Sequence, residues 1–351
     1  MRIDLHRHLE GSHSARALLA VARRYDLRHP LLYSLEEGRF RDEAELRPAL
    51  QMVGPTDDSA VFYDCIQRAR VAYVSEEAIG ELSRLAFEES VADSPDGLEM
   101  RVSLFSMTRT LFENEGMKKA DVLALAPDRF AERCHAVLKR VLAARDQVQR
   151  ERGVTVLVRL GFSRTFESAA LYRAMAEMAQ DHKGALCGLD VLGIVNGADR
   201  EPLQPELVQI LEGLRRHIGD LTIHAGEFEG HASVERTLRL EPQGIGHGVH
   251  AVESDETLAR LRGAGVTLEV CPTSNHLLIP TALLRLRAVR GAHPLVALQQ
   301  AHVHAVVGSD DPTPMGCAYL TERAVAAAEG VDVAQLDRDI ARRWGQLPKV
   351  Q

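Results

Sequence analysis

The run "RIDLH" at residues 2–6 leads directly into "RHLEGS" at 7–12, and that junction separates two folds. A strand at the head of a chain suits either a doubly wound open sheet or a (β/α)8 barrel. A dinucleotide-binding sheet would place G-x-G-x-x-G immediately after it. Here the strand instead runs into His6 and His8. Residues i and i+2 of a strand share one face, so the two imidazoles project together. Such a pair can grip a metal.

Outward from this point, similar short apolar runs recur. They are "LEMRVSL" at 98–104, "VTVLVRLGF" at 154–162, "LCGLDVLGIV" at 186–195 and "LTIHAG" at 221–226. The series continues with "GIGHG" at 244–248, "VTLEVCP" at 266–272 and "HAVVGSD" at 304–310. Helical patterns lie between them. One is "SDETLARLRGAG", with Ser254 as a candidate N-cap and glycine after its periodic part. Eight strands alternating with helices predict a parallel (β/α)8 barrel, and 351 residues suffice for one such domain, 1–351. One connection is abnormally long: about ninety residues separate the first two runs. Ordinary βα connections are ~2–6 residues plus a helix. The surplus, about 28–75, is expected to form a helical insertion covering the catalytic end.

Composition narrows the functional class. Net charge is −8 with both signs interspersed, and no basic stripe suits a phosphate backbone, so nucleic acid is not an expected partner. The five cysteines are odd in number and contain no C-x-x-C, which indicates neither a disulfide framework nor a thiolate zinc site. "MRIDLH" lacks the basic start and apolar stretch of a signal peptide, and no uncharged run is long enough to cross a bilayer. A cytoplasmic protein without a membrane partner is expected. No coiled-coil seam indicates an oligomeric state.

Polar residues cluster at strand ends. His6 and His8 end the first strand, His224 and Glu227 the fifth, His247 the sixth, and Asp310 and Asp311 the eighth. In a barrel these ends converge on one mouth. Imidazole and carboxylate without thiolate suit Zn2+, with Fe2+, Ni2+ or Mn2+ as alternatives. Zinc lowers the pKa of bound water to about 7. His247 is then the natural base or orienting group, and Glu227, three residues beyond a ligand, the natural proton donor. Adjacent strand residues point oppositely, so Asp311 turns toward the site only if the strand has ended, which Pro312 favours.

The ordered set "DLHRHLEGS", "SRTF", "LDVLG", "HAGE", "IGHG", "CPTSN" and "SDDP" resembles the adenosine deaminase family of metal-dependent amidohydrolases across residues 4–312. The resemblance implies one zinc held by His6, His8, His224 and Asp310. It implies that Glu227 protonates purine N1, that His247 holds and deprotonates the attacking water, that Asp311 contacts N7, and that Gly193 meets N3 through its backbone. The implied reaction is hydrolytic loss of ammonia from C6 of a 6-aminopurine.

The sequence departs from the family pattern at four places, two of which bear on the sugar side. Glu10 stands where the nucleoside enzymes have an aspartate contacting the ribose 5′-hydroxyl. Ile194 and Val195 replace an Asp-Glu pair, Gly244 replaces an arginine, and the usual asparagine-bearing segment after Cys317 is missing. A 5′-modified adenosine is therefore expected beside adenosine itself. The family includes deaminases of aminodeoxyfutalosine, a menaquinone-pathway intermediate whose carboxyphenyl-ketone arm needs a cation. Arg7, Arg109 and Arg164 are the candidates for it. "LEMRVS" and "SRTF" resemble the nucleoside branch, which leaves free adenine the less expected substrate. A different hydrolase on the same barrel would need another electrophile-binding group. A non-catalytic binding protein would not need the intact ligand, acid and base set.

Overall fold

A computed structural model describes residues 1–194 and 202–348. Val195 lies outside the described residues. The eight expected strands are present as β1 (Ile3–His8), β2 (Gly97–Val102), β3 (Val156–Ser163), β4 (Gly188–Leu192), β5 (Leu221–Ala225), β6 (Gly244–His247), β7 (Thr267–Val270) and β8 (His304–Val307). They form one parallel sheet in sequence order, β1 to β8. The two edges meet through Arg7 and Asp310. The His8 amide donates to the Asp310 carbonyl at 2.8 Å, and the Asp310 amide donates to the His6 carbonyl at 2.8 Å. Helices surround the sheet, giving the (β/α)8 barrel that the alternating pattern predicts. "SDETLARLRGAG" forms the helix Asp255–Ala264, with the Ser254 side chain capping its start and Gly265 ending it at φ 64°.

Between β1 and β2 lie helices α1 (Ala15–Arg24), α2 (Glu43–Leu50), α3 (Ser59–Ala69) and α4 (Glu76–Asp93). The stretch 28–75 thus holds α2 and α3. It also holds a small hairpin, Tyr33–Ser34 with Arg39–Phe40, that periodicity did not signal. Two-residue strands are too short to show an alternating pattern. Asp42 and Glu45 close a reciprocal capping box on α2, and Asp58 caps α3.

Alternate strand residues divide the core. Leu98, Met100 and Val102 of β2 join the apolar layer beneath the helices. Glu99 and Arg101 of the same strand point the other way. Arg101 reaches Asp190 on β4 and Glu269 on β7, neither of which neighbours β2 in the sheet, so the three meet across the barrel interior. Nearer the barrel floor, Glu99 pairs with Arg159 at 2.8 Å, and Arg159 pairs with Asp220 at 2.8 Å. Arg343, from the helix Val333–Gln346, closes the floor with a forked pair to Asp220, both bonds 2.7 Å. The interior is thus a stack of buried ion pairs beneath the mouth. Each charge lost here leaves another unpaired in low dielectric.

Candidate active site

β1 delivers both histidines of its run. Its pairing to β2 carries an irregularity between Asp4 and Arg7, which places one extra residue in β1. The rings of His6 and His8 still lie 5.3 Å apart, so the shared-face expectation holds. His224 at the end of β5 lies 4.8 Å from His6 and 5.3 Å from His8, ring to ring. His247 at the end of β6 lies 5.1 Å from His6 and 5.3 Å from His224. Asp310 completes the group: its Oδ1 is 3.5 Å from His6 Nε2 and 3.3 Å from His8 Nε2. Ligand-type atoms of His6, His224, His247 and Asp310 all fall within 4.8 Å of one another, and His8 shares such a group with Asp310 and Asp311. Four strand ends far apart in sequence therefore converge on one buried point.

The local backbone is shaped for this. β8 ends at Val307, two residues before Ser309 leads into Asp310. Asp310 adopts φ 59° and His247 φ 60°, conformations that side chains other than glycine seldom take. With the strand ended, Asp310 and Asp311 both face the cavity, as the Pro312 reading anticipates. Gly246 clears the space between ligands: a Cβ there would lie 2.9 Å from the His224 ring and 3.0 Å from His6 Cε1. Gly246→Ala is therefore expected to displace two imidazoles and lower bound metal well below stoichiometry, measured by elemental analysis of purified protein. Full loading in that variant would remove the proposed reason for the glycine. Gly11 serves the facing wall, since a Cβ would run into the Asp311 carboxylate.

Second partners fix the rings. His6 Nδ1 is 3.1 Å from Glu269 Oε2, and His224 Nδ1 is 3.2 Å from Asp190 Oδ1. Arg101 binds both carboxylates, through Nε to Asp190 Oδ2 at 2.8 Å and through Nη2 to Glu269. A carboxylate on one ring nitrogen fixes the tautomer and leaves the other nitrogen to a metal. His6 Nε2 is buried and has no hydrogen-bond partner, as a ligand atom without its ion would be. Burial holds His8 and His247 well below the usual imidazole range, keeping them neutral. The residues present fit a metal ion.

His247 Nδ1 is 3.2 Å from the Asn275 carboxamide nitrogen, whose oxygen is buried and unpartnered. Exchanging the two amide atoms gives the reverse polarity. His247 then donates from Nδ1 and keeps its Nε2 lone pair, the arrangement a base needs. That Nε2 is 3.6 Å from Glu227 Oε2. Asn275→Ala is expected to leave metal content intact and lower turnover by roughly tenfold through loss of this orientation. Turnover equal to wild type would deny Asn275 that part.

A pocket open to solvent lies above the cluster. Its wall includes His8, Glu10, Gly193, His224, Glu227, His247, Asp310 and Asp311. Phe62, Tyr63, Ile66 and Arg70 form the wall contributed by the insertion. Glu10 Oε1 accepts from the Ser103 amide at 2.9 Å. Burial first, then the neighbouring Asp310 carboxylate, pushes Asp311 well above the usual carboxylate range. Burial opposes ionisation of Asp310 too, but His6, whose Nε2 is 3.5 Å away, and the surrounding His247 and His8 imidazoles hold it well below that range. Ile194 lines the cavity.

Arg164, expected to touch substrate, is not part of this wall. Its guanidinium donates to the His224 carbonyl at 2.5 Å and braces the end of β5. Arg7 bonds Ser12 and Asp93, and Arg109 bonds Glu113 and Glu167; neither lines the cavity. Sequence reasoning assigned no role to Arg101, Asp190, Glu269 or Asn275. For Arg101, Asp190 and Glu269 the available signal was a charged residue in the middle of an otherwise apolar strand, which is rarely buried unless paired.

A model of the adenosine deaminase family matches residues 2–342, and the chain belongs to that family of metal-dependent hydrolytic deaminases. An adenine deaminase from Rhizobium etli is 26% identical over 338 residues, covering 96% of this chain and 91% of the relative. An adenosine deaminase from Erwinia tasmaniensis is 27% identical over 336 residues, covering 95% and 89%. Among solved structures, an amidohydrolase from B. ambifaria with bound Zn matches with a TM-score of 0.71 at 16% identity, covering 95% of this chain and 82% of that one. No helix among the described residues is long and apolar enough to cross a membrane.

Proposed function

We propose that this member of the adenosine deaminase family hydrolyses the 6-amino group of a purine nucleoside, adenosine or a 5′-modified adenosine such as aminodeoxyfutalosine, releasing ammonia. The observation that carries the reading is the buried cluster of His6, His224, His247 and Asp310, with His8 grouped with Asp310 and Asp311, beside Glu227. His6, His8, His224 and Asp310 would hold one zinc ion, leaving His247 to act on the water. Zinc bound there supplies a Lewis acid and a water acidic enough to attack at neutral pH.

The remaining work falls to side chains. Glu227 donates a proton to N1, which draws electron density from the N1–C6 bond and makes C6 electrophilic. His247 orients the attacking water and accepts its proton at Nε2, a role that its neutral state permits. Asp311, held protonated by burial and by Asp310, donates to an unprotonated N7. The Gly193 amide, at φ 81° on the cavity wall, serves N3. Phe62, Ile66 and Leu278 exclude water from the ring face. α3 acts as the cover expected of the insertion. The whole chain, 1–351, works as one barrel unit.

Free adenine is the second reading, favoured by the extent of the match to an adenine deaminase. Ammonia release from adenosine, 2′-deoxyadenosine, aminodeoxyfutalosine and adenine, compared by kcat/KM, separates the two. Activity is expected to disappear on chelation and return with added Zn2+. A fully metal-loaded protein that releases ammonia from none of them would sink the proposal.

A further inference from the structure

Arg70 is the only arginine or lysine among the described residues of the cavity wall. It follows α3 and opens a single helical turn, Arg70–Ala72. Phe62, Ile66 and Arg70 recur at intervals of four and share one helix face, and all three border the cavity. Asn114 clamps the turn, donating to the carbonyls of Arg70 at 2.9 Å and Tyr73 at 3.0 Å. The backbone that presents Arg70 is thus fixed from behind.

The guanidinium is only partly matched. Its Nε is buried without a hydrogen-bond partner, and the nearest compensation among the described residues is the charge of Glu10 on the same wall, which it favours without forming a close ion pair. That sets it apart from Arg7, Arg101, Arg109, Arg159 and Arg164, each bound to protein oxygens. A half-buried guanidinium that gives up water without gaining a partner is costly. A planar fork of donors best recovers that cost from an oxyanion. Arg70 also stands on the wall contributed by the insertion, whereas the ligand cluster lies at the strand ends.

We propose that Arg70 binds an oxyanion, a carboxylate or a phosphate, carried by the nucleoside on the side remote from the reacting amine. This deepens the deaminase reading and rests on it. Arg7, Arg109 and Arg164, the arginines expected for such a group, point elsewhere.

The test compares adenosine, adenosine 5′-phosphate and adenosine 5′-carboxylate with the metal-loaded full chain, as wild type, Arg70→Gln and Arg70→Lys. Wild type is expected to favour at least one anionic nucleoside over adenosine by about tenfold or more in kcat/KM, mostly through KM. Which anion wins identifies the oxyanion. Arg70→Gln is expected to cut the anionic-to-neutral ratio by about tenfold, with Arg70→Lys retaining part of it. Should Arg70→Gln lose metal or fold, the salt dependence of wild type decides: KM for the anion alone must rise with ionic strength. Wild-type preference for adenosine over both anions, equal losses on all three substrates in Arg70→Gln, or a salt-insensitive KM overturns the inference while leaving the deaminase reading intact. No ammonia from any of the three overturns both.

Discussion

Glu227→Gln is expected to lower kcat on the deaminated purine by about 10²–10⁴-fold with bound metal unchanged. Glu227 lines the cavity beyond the end of β5, is 7% exposed, and lies outside the proposed ligand set. Glutamine keeps its shape and its capacity to hydrogen-bond, so substrate still docks. It cannot hand a proton to N1, so the N1–C6 bond stays unpolarised and C6 stays a poor electrophile. Because the lost interaction belongs to the transition state, kcat and kcat/KM should fall together while KM moves little. Elemental analysis and steady-state kinetics on one preparation decide the matter. Turnover within a few-fold of wild type, at full metal loading, would show that the proton comes from another group.

That experiment rests on a residue legible in the sequence, as were most of the polar groups gathered at the barrel mouth. His6, His8, His224, His247 and Asp310 were readable because strand ends in a parallel barrel share one rim, whatever their distance along the chain. Asp311 was readable through Pro312, which implied that the strand had stopped. The supports behind these groups were not readable in the same way. His6 and Glu269 are 263 residues apart, and Arg101 and Glu269 are 168 apart. A local pattern shows only that a charge interrupts "LEMRVSL" or "VTLEVCP". Which charges face each other depends on closure of the barrel and on inward or outward phase, both set by packing over the whole sheet. The arginines illustrate the same limit. Arg164 sits in a recognisable "SRTF" yet braces a carbonyl, while Arg70, in no motif, borders the cavity.

The largest stability effect is therefore expected at a residue that touches neither substrate nor metal. Arg101→Met should cost about 3–5 kcal/mol of folding stability and weaken metal binding by about 10–100-fold. Arg101 is fully buried and joins Asp190, Glu269 and the Leu5 carbonyl, the last at 3.0 Å. Methionine fills much of the volume but takes from Asp190 its only guanidinium among the described residues and leaves Glu269 just the more distant Arg343, at 3.7 Å. Burial works against both, yet His224 and Arg101 hold Asp190, and Arg101 and His6 hold Glu269, well below the usual carboxylate range. A depressed folded-state pKa contributes stability that is complete above the unfolded values of 3.8 and 4.5 and is lost as pH falls through the folded ones. Without Arg101 the same carboxylates resist ionisation, so the variant loses stability as pH rises. The gap between wild type and Arg101→Met should widen from acid toward neutral pH in denaturant unfolding. The metal effect has the same root. Asp190 and Glu269 orient His224 and His6, and carboxylates that keep their protons no longer fix those rings for ligation. Arg101→Lys should restore only part of each loss, because a point charge cannot span both carboxylates as a planar fork does. A pH-independent gap, or metal affinity unchanged in a destabilised variant, would separate the ion-pair stack from the metal centre that it is argued to support.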